Sequence, residues 1–69
     1  MEKVDVRGLS CPMPVIRTKK AIDQGVKELL VVGSSSVSRE NVNKLAVSCG
    51  YQVNLIKNEE TNWEMELKK

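Results

Sequence analysis

Apolar and polar residues alternate from Lys3 to Arg7, with Val4 and Val6 on one side and Asp5 and Arg7 on the other. A period of two predicts a strand with one buried face. Gly8 and Ser10 break the pattern. From Cys11 or Pro12 to about Gln24 the period becomes helical, and Gly25 suits the C-terminal stop. On this helix Val15, Thr18, Ala21, Ile22 and Gly25 share the side that would face a sheet. Glu28 to Val32 is a continuous apolar, branched run, the mark of a strand at least partly covered on both faces. Gly33 and the serines 34–36 form a turn that offers N-cap candidates. The second helix is predicted over Ser36 to Cys49, where Val42, Leu45, Ala46 and Cys49 fall at i, i+3, i+4 and i+7 and Gly50 follows as C′. Tyr51, Val53 and Leu55 then alternate with Gln52 and Asn54, and Trp63, Met65 and Leu67 with Glu64 and Glu66. The polar link Asn58 to Asn62 makes these two antiparallel strands joined by a loop of about five residues.

The order is βαβαββ, with no repeat and no low-complexity segment. Strand–helix–strand units favour right-handed parallel crossovers. The polar alternate residues of strands one, three and four leave the other sheet face open to water. The expected architecture is an α/β two-layer sandwich, a four-stranded mixed sheet with two helices on one face. Residues 1–69 are expected to form one domain. The composition agrees: 41% of the 69 residues are hydrophobic, enough for one modest core, and 29% are charged without any charge block. A chain this small buries only about 60% of the surface its unfolded form exposes. The longest apolar run is Leu29 to Val32, far short of the roughly 20 residues of a membrane span. Met1 to Asp5 lack the apolar stretch of a signal peptide, so the expected location is the cytoplasm, with no membrane partner.

The residue inventory narrows the chemistry. There is no histidine, so the chain supplies neither a Cys-His or Ser-His pair nor a histidine general base. Its two cysteines, Cys11 and Cys49, lie 38 positions apart and form neither a CxxC motif nor a zinc cluster. No metal and no organic cofactor are expected, and in a reducing compartment both thiols stay free. The net charge of +2 is mild and interspersed, and Trp63 and Tyr51 are the only aromatics, so direct contact with nucleic acid is not expected. A small carrier or interaction domain fits better than a self-sufficient enzyme with a deep pocket.

The informative stretch is Cys11-Pro12-Met13-Pro14, where a glycine-bearing loop meets a helix. The first backbone N–H groups of a helix have no intrahelical acceptor, so proline is tolerated there. Pro12 at N1 and Pro14 at N3 both fit a helix that starts at Cys11, leaving Met13 and Val15 as free donors. Those donors and the positive end of the helix dipole favour a negative sulfur on Cys11, and Arg7, Arg17 and Lys19 add to the field. Such a thiolate is a nucleophile without histidine, and it could equally carry a terminal sulfur as a persulfide. The plainer alternative is a small buried hydrophobe beside routine helix punctuation. Two prolines around one residue, directly after the cysteine, favour the reactive reading because they rigidify the turn and limit how backbone can cover the sulfur.

The run Val4-Asp5-Val6-Arg7-Gly8-Leu9-Ser10-Cys11-Pro12-Met13-Pro14 resembles the signature of the TusA/SirA-like sulfur-carrier family. Arg39-Glu40-Asn41-Val42 and Gly50-Tyr51-Gln52-Val53 look more like its YedF branch. The resemblance spans essentially the whole chain and implies the same βαβαββ sandwich. It implies that Cys11 accepts a persulfide sulfur from a cysteine desulfurase or another sulfurtransferase and passes it to a downstream sulfur-relay protein. The routes it implies lead to tRNA thiolation, other sulfur relays or selenium metabolism. Asp5, Arg7, Gly8, Pro12 and Pro14 support the motif. One departure stands out: TusA proper tends to have arginine eight residues after the cysteine, and this chain has Lys19, which keeps the charge and loses the bidentate fork.

Independently of any family, Met13, Ile16, Arg17 and Lys20 are spaced i, i+3, i+4, i+7 on the side of the first helix away from the core. With Lys19 they form a candidate docking stripe for an acidic, partly apolar partner. Cys49 lies on the apolar face of the second helix and reads as core, while Ser34 to Ser36 read as a cap rather than a phosphate site. For Asp5 and Arg7 a salt bridge or loop-anchoring hydrogen bonds come first and tuning of the thiol second. Lys57, Lys68 and Lys69 read as solvated surface. A competing function is a non-catalytic interaction or regulatory domain that touches RNA through its open sheet face. A thiol redox sensor is disfavoured, since no resolving cysteine is in evidence.

Overall fold

The computed structural model describes residues 1–69, and its elements are β1 (Glu2–Asp5), α1 (Met13–Asp23), β2 (Glu28–Gly33), α2 (Ser36–Ser48), β3 (Gln52–Glu59) and β4 (Asn62–Lys68). The order βαβαββ and the mixed sheet are those the periodicities predict. Across the sheet the strands run β1-β2-β4-β3, so the C-terminal strand lies inside and β1 and β3 form the edges. β1 and β2 are parallel, whereas β4 pairs antiparallel with both β2 and β3. Leu29, Val31 and Gly33 stand opposite Leu67, Met65 and Trp63. Those side chains meet Ala21 of α1 and Val42 and Ala46 of α2 in one buried cluster. No helix is long and apolar enough to cross a membrane.

The helical stop and cap residues act as the sequence indicates. Ser35 caps α2, its Oγ accepting from the Ser38 amide at 3.4 Å. Trp63 is fully buried, and its Nε1–H donates to the Ser35 carbonyl at 2.9 Å. Gly33 lies opposite it in the register, and any Cβ there would be driven into the indole ring. The absence of a side chain at Gly33 is what allows an aromatic of this size under the β2–α2 turn. Tyr51 precedes β3 rather than lying within it, buried, with its hydroxyl donating to the Val26 carbonyl.

Three further features differ from the sequence expectation. First, α1 begins at Met13, not Cys11, so Pro12 is the N-cap residue and Pro14 sits at N2. The Met13 amide is not free either, because it donates to the Ser10 carbonyl at 2.9 Å and closes a turn around Cys11 and Pro12. Proline disfavours helical backbone at the residue before it, which keeps Cys11 outside the helix. Second, Pro14 is a core residue as well as punctuation: it is fully buried with Thr18 and Ala21, while Val15 and Ile22 are half-buried. Third, the β3–β4 connection is not a loop of about five residues. Pairing continues to Glu59↔Asn62, leaving only Glu60 and Thr61 between the strands. The register shifts between Leu55 and Lys57, and the bulge at Ile56 lets Lys57 and Asn58 pair with Glu64 and Trp63. Arg39 of α2 holds this end by donating to Asn58 Oδ1 at 2.6 Å. A polar run can be strand when it lies on a solvated edge.

Candidate functional site

Both crossovers return to the sheet so that α1 leaves from the end of β1 and α2 from the end of β2. The first turns of the two helices therefore lie at the same edge of the molecule, beyond the carboxyl ends of the parallel strands, the usual place for a site in such sheets. The loop leading there is tied at nearly every residue. The Val6 amide donates to the Val32 carbonyl at 2.8 Å, the Arg7 amide to Asp5 Oδ1 at 3.0 Å and the Leu9 amide to the Val6 carbonyl at 3.3 Å. Gly8 has φ +74°, and its amide donates to Ser34 Oγ at 3.1 Å, joining the Cys11 loop to the β2–α2 turn. A side chain other than glycine at that φ costs about 1–2 kcal/mol.

Asp5 and Arg7 form the fork-to-fork pair expected of a loop anchor: Nε donates to Oδ1 at 3.0 Å and Nη2 to Oδ2 at 2.8 Å. With the Arg7 amide also donating, these hydrogen bonds hold the Asp5 carboxyl well below the usual carboxylate range, and Asp5 in turn raises Arg7. Asp5 stands opposite Val32, which stands opposite Glu64, on the sheet face away from the helices. Arg7 also feels Glu64. The pair is thus part of the open face and is neutralised within itself, bracing the end of β1 by local hydrogen bonds.

Cys11 is exposed. It borders a pocket of about 200 Å³ whose near wall is Leu9 to Pro12 with Pro14 and Val15, and whose far wall is Ser35, the N-cap of α2, with Val37, Ser38 and Asn41. The far wall is absent from the sequence reading, which treats the serines only as a cap. The signal was present in the order of elements, because right-handed crossovers place both helix starts together. The first amides of a helix have no intrahelical acceptor, the Val15 amide has none among the turn and cap hydrogen bonds, and neither helix has an acidic residue in its first turn. A negative charge in this pocket would meet two positive helix ends.

The candidate stripe of Met13, Ile16, Arg17 and Lys20 is exposed, with Met13 41% and Ile16 50% accessible. Lys19 separates from it. Its Nζ lies 2.6 Å from Asp23 Oδ1, one turn along α1, and that bond raises Lys19 further above its usual value. Cys49 is half-buried against the core at the C-cap of α2. The 13 residues of α2 separate its two ends by about 19 Å at 1.5 Å per residue, so Cys49 stands far from the helix starts that flank Cys11. Nowhere do three Cys, Asp or Glu side chains gather in a metal-binding arrangement.

The family model described as Sulfurtransferase TusA matches residues 2–69. A candidate sulfur carrier protein of Methanocaldococcus jannaschii is 39% identical over 71 residues, covering 100% of this chain and 95% of that one. A second candidate sulfur carrier protein, from Halobacterium salinarum, is 49% identical over 41 residues, which are 54% of this chain and 51% of its own. The crystal structure of a SirA-like protein from Desulfitobacterium hafniense superposes with a TM-score of 0.84 at 32% identity, covering 99% of this chain and 96% of that chain.

Proposed function

Since this chain belongs to the TusA sulfurtransferase family, we propose that it is a sulfur carrier in which Cys11 alternates between thiol and persulfide. One observation carries the reading: the exposed Cys11 stands at the mouth of a pocket bordered by the first turns of two helices, with no histidine or metal cluster beside it. Such a place suits a sulfur that receives and gives, rather than one that turns over a substrate unaided. In the loading step the Cys11 thiolate attacks the outer sulfur of a donor persulfide. The new S–S bond forms on Cys11, the old one breaks, and the donor cysteine leaves as a thiolate, so no oxidant is consumed. In the unloading step a nucleophile of the acceptor attacks the terminal sulfur and the Cys11 thiolate is the leaving group. The unpaired amides of the two helix starts favour the anionic persulfide between these steps. The Asp5–Arg7 pair braces the approach to the Cys11 loop, and the Gly8–Ser34 bond ties that loop to the β2–α2 turn.

The donor in this reading is a cysteine desulfurase or another persulfide-bearing sulfurtransferase, and the acceptor a further relay protein. Intact-mass analysis after incubation with cysteine and a cysteine desulfurase tests it. The expected result is a gain of one sulfur, removed by reductant and absent in Cys11→Ser. A protein that gains sulfur equally well without Cys11, or from no donor at all, would be an interaction domain instead.

A further inference from the structure

A groove of about 480 Å³ runs between α1 and the edge strand β1, and it ends at Met13, two residues from Cys11. Val4 and Ala21 lie along it, and Met13 and Ile16 offer exposed apolar surface. Three cations line it, Lys3, Arg17 and Lys20, and none makes an ion pair. The single carboxylate at the groove, Asp5, is already taken by Arg7. The groove therefore carries three uncompensated positive charges in a chain whose net charge is only +2. The backbone adds a further feature. Val6 turns its amide toward β2, so by strand alternation Lys3 and Asp5 present their N–H and C=O groups on the free edge.

We infer that this groove docks an acidic, extended segment of the protein that exchanges sulfur with Cys11, laid along β1 with apolar residues against Met13 and Ile16. The inference rests on the carrier reading for the partner's role. The occupant follows from the charge and the edge: cations call for carboxylates, a free strand edge for extended backbone, and the apolar rim for alternate apolar side chains. Nucleic acid would satisfy the cations alone, and the groove offers no aromatic on which a base could stack. Lys19 lies outside this surface, held by Asp23.

The probe is a synthetic decapeptide alternating glutamate and leucine, titrated into ¹⁵N-labelled protein at low and high salt. Saturable amide shifts are expected at residues 2–5 and 13–24, with an affinity that falls as salt rises. The triple variant Lys3→Glu, Arg17→Glu, Lys20→Glu should bind about tenfold more weakly or worse, while Lys19→Glu stays within about twofold. If the triple variant loses its dispersed spectrum, Arg17→Glu, Lys20→Glu replaces it. Shifts elsewhere, no saturable binding, tighter binding of an RNA hairpin at the same residues, or self-association of the free protein through them would each overturn the inference. Loading from glutathione persulfide separates it from the carrier reading. The double variant Lys3→Gln, Lys20→Gln, which keeps Arg17, should load from this small donor at the unaltered rate, and a loss there would mean that the cations act on the sulfur rather than on docking. Failure of the unaltered protein to take sulfur from any donor would instead sink the carrier reading, with the peptide titration still judging the groove.

Discussion

At the scale of single residues, Asp5 and Gly33 show how one atom group fixes the site. The Asp5 carboxylate accepts from the Arg7 amide and twice from its guanidinium, which lowers its proton affinity in the fold relative to the ordinary value of 3.8. A carboxylate depressed by folding stabilises the native state above its unfolded pKa and loses that contribution as pH falls through the folded one. The stability gap between the native chain and Asp5→Asn should therefore stay level from pH 7 to about pH 5 and narrow only below about pH 4, as followed by urea melts. A gap that narrows near neutral pH would assign the effect to another group. Gly33 acts by lacking atoms. Its Cβ would overlap the Trp63 indole, so Gly33→Ala should cost about 1–3 kcal/mol, read as a lower midpoint in denaturant. In a Trp63→Leu background the same change should cost clearly less, because the clash and its partner belong to one contact. Equal costs in both backgrounds would place the strain in the backbone instead.

At the scale of elements, central β4 and edge β1 differ in ways that hydrogen exchange should display. Both edges of β4 are paired, and its Trp63, Met65 and Leu67 are buried, whereas β1 has four residues and one partner. Amides of Met65 and Leu67 should be among the slowest to exchange and those of Lys3 and Asp5 among the fastest within the sheet. Slow exchange at Lys3 would mean that the β1 edge is already covered. The strands and helices themselves were legible because period two and period 3.6 survive wherever one face is buried, as from Val42 to Cys49 or Trp63 to Leu67. The exposure of Met13, Ile16, Arg17 and Lys20 was legible for the same reason, whereas Cys11 was singled out by its place before a Pro-x-Pro helix start, and the structure leaves it exposed. The start of α1 was not, since two prolines fit several positions of a first turn and only the Ser10–Met13 bond selects one. The hairpin was misjudged because Asn58 to Asn62 look like a loop, while a bulge and the Arg39–Asn58 bond carry the ladder through them. Ser35, Val37, Ser38 and Asn41 escaped because a wall shared between two helices is a property of topology, not of local spacing.

At the scale of the whole molecule, the two thiols occupy opposite ends of a body 28 × 22 × 19 Å in extent. Cys11 precedes α1 at the edge where both helices start, and Cys49 follows α2 at the edge where both end. A disulfide needs Cα atoms within about 7 Å, and α2 alone spans about 19 Å. Mild oxidation with glutathione disulfide should therefore give a mixed disulfide at exposed Cys11 first and a slower one at half-buried Cys49. No product should have lost two hydrogens within one chain, a difference that intact mass resolves. Cys49→Ala should leave sulfur loading unchanged, since its side chain packs against the core rather than the pocket. An internal disulfide in the folded protein, or loss of loading in Cys49→Ala without loss of fold, would mean that the two ends communicate during transfer. In the carrier reading proposed above, the same separation leaves no second thiol within reach, so a persulfide on Cys11 would not be discharged internally as a disulfide and would await a nucleophile from outside the chain.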